Sequence, residues 1–111
     1  MKGKIQLGHG PARLAWASHE NGILMYYTYV LLSEKDNKFY VGFTKDLKKR
    51  VLEHNKGLVP STRYRGPLSL VYYEACLNEA DALNREKHFK SGYGRRYLNK
   101  RLENYKKDVF N

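Results

Sequence analysis

Five side chains stand where their chemistry conflicts with their surroundings. Leu47, Arg50, Val51 and His54 recur at i, i+3, i+4 and i+7. A helix over that stretch turns a guanidinium and an imidazole to the same side as its apolar residues. In a second stretch Ala82, Leu83, Glu86 and Phe89 share one stripe, with the Glu86 carboxylate near its middle. An acid there must be ion-paired, bound to a metal or left at the wet edge, because burying it alone is very costly. Each has an ordinary reading: Arg50 can pack its stem and keep its head in water, and Glu86 can pair with Lys90 four residues on. Together, an inward arginine, histidine and glutamate on two helices read as a site. Tyr29 and Tyr40 bring two phenols to adjacent predicted strands. Directly opposite each other, their Cβ atoms would lie roughly 5 Å apart, whereas a one-residue slip would send them to opposite faces. Gly42, two residues after Tyr40, leaves room on that face for a ligand backbone.

These residues need elements to hold them. Tyr26 to Leu32 (YYTYVLL) is aromatic and rich in strand formers. Asp36 and Asn37 mark a turn, and Phe39 to Phe43 resumes the strand pattern, so residues 26–43 read as a hairpin. Thr44 is a cap for a helix that ends near Gly57. Residues 58–67 form a basic loop, and Leu68 to Glu74 a third strand. Asn78 opens a helix through about Lys90 that Gly92 closes, and a last basic segment near 95–107 is helical. The order β-β-α-β-α-α predicts an α+β fold, a small three-stranded antiparallel sheet flanked by helices. Residues 1–24, interrupted by Gly3, Gly8, Gly10 and Pro11, carry no stripe. They read as a flexible N-terminal extension, leaving 25–111 as the domain.

Composition narrows the partners. The 111 residues suit one domain and hold 41% hydrophobic and 29% charged residues, enough for a packed core. The net charge of +10 points to polyphosphate chains or anionic surfaces. A single cysteine, Cys76, excludes an internal disulfide and a cysteine-rich zinc site. Apolar runs are too short for a membrane span, and Lys2 and Lys4 lead into polar, glycine-rich sequence rather than a secretory signal. The expected compartment is the cytoplasm.

The order of these residues resembles that of a known family. Tyr27-Thr28-Tyr29, then Tyr40-Val41-Gly42, is similar to the paired tripeptides of the GIY-YIG nucleases. Asp46 to Arg50 followed by His54 resembles their helix motif. Ala82 to Lys87 and Gly94-Arg95-Arg96 resemble the glutamate-bearing helix and tail of the small stand-alone bacterial members. Those are similar in turn to the N-terminal incision domain of the excision-repair nuclease. The resemblance covers about 26–105. Tyr27 and Thr28 replace the nominal Gly and Ile, and Phe43 stands where some relatives carry a lysine that assists the tyrosine base.

The resemblance implies a metal-dependent DNA endonuclease that hydrolyses phosphodiester bonds, selects structure rather than sequence, and serves repair or recombination. Glu86 would hold one divalent ion, Mg²⁺ or Mn²⁺. Arg50 would grip the non-bridging oxygens, Tyr29 would act as general base toward water with Tyr40 orienting, roles the two could exchange, and His54 would contact phosphate or relay the proton. Arg63, Arg65, Lys90, Arg95, Arg96, Lys100 and Arg101 would track the DNA backbone, and Tyr64 could stack on an unpaired base. The alternative is a non-catalytic, basic nucleic-acid-binding module that retains the fold. A peripheral membrane protein ranks last, since no lipid-like amphipathic helix is visible.

Overall fold

The computed structural model describes residues 24–110, so the reading of the N-terminal extension lies outside the described residues, Leu24 excepted. The elements run β1 (Tyr26–Ser33), β2 (Phe39–Thr44), α1 (Leu47–Asn55), a 3-10 turn (Pro60–Thr62), β3 (Leu68–Cys76), α2 (Glu79–Phe89), α3 (Gly92–Arg101) and α4 (Glu103–Phe110). The sheet is antiparallel with order β2-β1-β3. The fold is α+β, as the sequence predicts, with one more helix.

The central strand explains the architecture. β1 is buried at every position after Tyr26, because helices cover both faces of the sheet and a strand covered twice reads as a continuous apolar run. On one face Tyr29, Leu31 and Leu68 pack with Leu47 and Val51 of α1. On the other, Val30 and Val41 meet Phe89 of α2 and Leu98 of α3. The Thr28 hydroxyl, also buried, donates to the Ala82 carbonyl at 2.8 Å and ties β1 to α2. The β1–β3 register slips between Val30 and Leu31, leaving Val71 as an extra residue on β3. Val71 and Tyr72 therefore pack on the same face, and Tyr73 on the other.

Turns follow their residues. Asn37 closes the hairpin with φ 60, a conformation asparagine tolerates. Gly57 ends the α1 region at φ 76, the left-handed position glycine fills after a helix.

Four local expectations are corrected. The cap of α1 is Asp46, whose side chain accepts from the Lys49 N–H; Thr44 ends β2 and accepts from the Asp46 N–H at 3.1 Å. Gly92 does not close α2, which ends at Phe89 with Lys90 as its cap, but opens α3 behind the Ser91 cap. The segment near 95–107 belongs to two helices, because Leu102 leaves helical geometry at φ −109 and ψ 19. Leu83 is 42% exposed, since Ala82 and Phe89 set the buried line of α2 and Leu83 is turned off it.

Gly94 is what lets α3 start so close to α2. A Cβ there would collide with the His88 carbonyl oxygen and the Phe89 Cα, both main chain. Gly94→Ala is expected to cost about 1–3 kcal/mol of stability. Urea denaturation would measure it, and an unchanged midpoint would show that the helices can part freely.

Candidate functional site

Tyr29 is the hub. It pairs across the hairpin with Gly42, while Tyr40 faces Leu31, so the register that the sequence left open does not set the two tyrosines directly opposite. The offset is two residues, which keeps both on the α1 face, with ring centroids 6.4 Å apart. The room beside Gly42 is taken by the protein itself. A Cβ on Gly42 would run into Cζ and the hydroxyl of Tyr29 and lie 2.9 Å from its Cε2. Glycine is required there so that the Tyr29 ring can cross its partner strand.

The Tyr29 hydroxyl and His54 Nε2 are 2.7 Å apart, and His54 Nδ1 and the Thr62 hydroxyl 2.6 Å. Tyr29, His54 and Thr62 are each at most 1% exposed. A neutral His54 has one donor and one acceptor nitrogen, so the line from Tyr29 to Thr62 runs in one direction. Burial, then the Arg50 charge, pushes the His54 pKa down to about 4. Burial pushes Tyr29 up to about 12, with Tyr40 and Glu86 adding to the rise and Arg50 opposing it. His54, enclosed in this way, cannot touch a phosphate. That half of its expected role is corrected.

Arg50 and Glu86 approach from different helices, and both charges are felt at the Tyr29 hydroxyl. The Arg50 side chain is 38% exposed and donates to Glu53 at 3.2 Å. It lines an open cleft of about 320 Å³ with Phe43, Lys45, Lys49 and Glu53. Glu86 is half-buried at the edge of its stripe, with Lys90 Nζ 3.0 Å away. Tyr40 is half-buried, and its hydroxyl accepts from Ser61 at 3.2 Å. Sequence reasoning missed Glu53, Ser61 and Thr62. The signal in hand was Pro60 at the start of a short helical turn, which fixes the two hydroxyl residues that follow.

The other basic candidates divide. Arg65 grips Asp36 through Nε at 2.8 Å and Nη2 at 3.3 Å, holding that carboxyl down to about 2, and also donates to the Lys38 carbonyl. It anchors the 3-10 loop to the hairpin turn. Arg95 donates to the Lys90 carbonyl at 2.8 Å at the end of α2, and Lys100 lies 3.4 Å from Glu103. Arg63 and Arg96 lie over the rings of Tyr64 and Tyr93, and Arg101 is exposed.

Among the described residues no group of three His, Cys, Asp or Glu could form a metal cage. The donor set offers one hard carboxylate at a wet edge. That fits an ion such as Mg²⁺, which keeps its waters and takes the rest of its shell from substrate phosphate, and does not fit a structural zinc. No helix among the described residues is long and apolar enough to cross a membrane.

Comparison with known proteins adds an independent line. The family model of the GIY-YIG catalytic domain matches residues 25–101. A UPF0213 protein of Lacticaseibacillus paracasei is 48% identical over 66 residues, 59% of this chain and 73% of that one. A UPF0213 protein of Clostridium perfringens is 43% identical over 67 residues, 60% of this chain and 71% of its own. The solution NMR structure of a UPF0213 protein from Bacillus halodurans shares 32% identity and covers 67% of this chain and 81% of that chain, with a TM-score of 0.43.

The neutral histidine gives a stability signature. Unfolded, a histidine binds its proton below about 6.5; folded, His54 binds it only below about 4. As pH falls between those values the unfolded state takes up the proton and the folded state does not, so stability drops. Between pH 7 and pH 5 the loss should be roughly 2 kcal/mol. Denaturation at the two pH values would measure it, and His54→Gln should remove most of the difference.

Proposed function

The chain belongs to the GIY-YIG family, and we propose that it is a divalent-metal-dependent DNA endonuclease, structure-selective and employed in repair or recombination. The observation that carries the reading is the packing of two phenols, Tyr29 and Tyr40, 6.4 Å apart against His54, with Arg50 one turn away on the same helix at an open cleft.

The residues divide the work by exposure. Tyr29 has no exposed surface and its hydroxyl is taken up by His54, so it is a positioning residue that fixes His54 and with it α1, the helix that carries Arg50. Tyr40 reaches solvent, and it takes the role of general base toward water. This exchanges the two assignments made from the sequence. Arg50 grips the non-bridging oxygens of the scissile phosphate, with Glu53 holding one side of its fork. Glu86 would hold Mg²⁺ or Mn²⁺, which polarises the phosphate and stabilises the leaving oxygen. Lys90 must release Glu86 for that to happen, and substrate phosphate is a competing partner for the ammonium. Lys90 and exposed Arg101 then track the backbone, together with Arg63 and Arg96.

One observation favours the non-catalytic alternative: the Lys90 ammonium already neutralises Glu86. Cleavage decides between them. With Mg²⁺ or Mn²⁺ and labelled flap, junction, nicked and duplex DNA, the wild type should cut. Arg50→Ala and Glu86→Gln should each lose at least about 100-fold in rate, with DNA affinity largely kept. Tyr40→Phe should be as severe. Steep salt-dependent binding without any cleavage would establish the binding module instead.

A further inference from the structure

Two tyrosines stand outside this constellation with their rings in water. Tyr64 is 76% exposed and Tyr93 75%, the two most exposed large apolar side chains among the described residues. Each carries a guanidinium over its ring, Arg63 at 5.8 Å and Arg96 at 4.7 Å from the centroids. Their main chains are nonetheless held firmly. The Tyr64 carbonyl accepts from Lys35 Nζ at 3.1 Å, and its neighbour Arg65 is tied to Asp36 through its side chain and to Thr62 through its N–H. Tyr93 lies in the first turn of α3, which is fixed by the Ser91 cap and by Gly94 against the end of α2. Rigid backbone that displays an aromatic ring to solvent, with an arginine alongside, is the form of a base-stacking platform.

Each lies a short span of chain from a residue of the site. Tyr64 is three residues from Ser61, which bonds the Tyr40 hydroxyl. Tyr93 is three residues from Lys90, which pairs with Glu86. Three residues span at most about 10 Å, about three stacked nucleotides along one strand.

We propose that Tyr64 and Tyr93 are base-stacking posts beside the site, and that its substrate class is DNA with unpaired nucleotides next to the scissile phosphate. Within a duplex both faces of every base are covered, so a protruding ring gains nothing. At a flap, gap or junction a face is free. The inference rests on the nuclease reading for the meaning of "scissile", but the stacking is measurable without cleavage.

The test uses the full chain in EDTA with DNA carrying 2-aminopurine, either in an unpaired flap beside the junction or within the duplex. Binding should quench the flap probe and leave the duplex probe unchanged. Affinity for flap over duplex should exceed tenfold. Tyr64→Ala and Tyr93→Ala should each lose quenching and about tenfold of that preference, while Tyr64→Phe and Tyr93→Phe retain both. Because both rings are exposed, circular dichroism should match the wild type. Equal affinity for flap and duplex, or Ala variants that still quench, would overturn the proposal. Added Mg²⁺ then separates the two readings. Quenching without cutting keeps the posts and sinks the nuclease, whereas cutting without flap preference does the reverse.

Discussion

A buried line of three polar groups governs this molecule. The Tyr29 hydroxyl, the His54 imidazole and the Thr62 hydroxyl come from β1, α1 and the 3-10 turn, and all are shut away from water. Buried polar groups must be partnered, and losing one partner leaves the others unsatisfied at a cost of about 1–3 kcal/mol each. Alignment along the line therefore fixes how α1 lies on the sheet and where the 58–67 loop folds back. That placement decides in turn where Arg50, one turn before His54, presents its head. The same loop brings Ser61 to the Tyr40 hydroxyl.

Much of this was visible in the residue pattern. The inward face of α1 was legible because Arg50 and His54 share a period with Leu47 and Val51, and the sheet packs against those apolar residues. The run YYTYVLL was legible as a strand, but its central place and its cover on both faces emerge only from the packing. Pairing register was not legible. Period-2 patterning rules out a slip of one but is blind to a slip of two, and the deciding contact is the Tyr29 ring lying over Gly42. Glycine in a strand was correctly read as space, yet sequence does not say who occupies it. Thr62 and Ser61 were invisible for a different reason. They act across 8 and 21 residues of chain, and a loop hydroxyl carries no periodic mark.

Charge in this fold is less available than the net +10 suggests. Arg65 and Arg85 are held by Asp36 and Glu74, and Arg85 also stacks over Phe89 and Tyr97 at 4.4 and 5.1 Å. These guanidiniums join elements together. The Glu74 carboxylate also accepts from the Tyr72 hydroxyl, which with burial holds that phenol above its usual range. A basic composition thus divides into arginines that hold the fold and a smaller set that faces solvent. Long-range attraction of a polyanion depends on the total, whereas gripping one phosphate depends on the second set alone.

The neutral state of His54 sharpens that division at the site. An imidazolium beside Arg50 would place two cations around one phenol in a dry pocket, and their repulsion adds to the cost of burial. Holding the ring neutral leaves the Arg50 guanidinium as the cation that bears on Tyr29 and opens to the cleft. It also gives the ring one donor and one acceptor, which makes the buried line directional. A lysine at position 50 would keep the charge but lose the planar fork that holds Glu53 through one nitrogen while leaving further donors free. The inward arginine therefore stands where the buried polar line beneath α1 gives way to the open cleft.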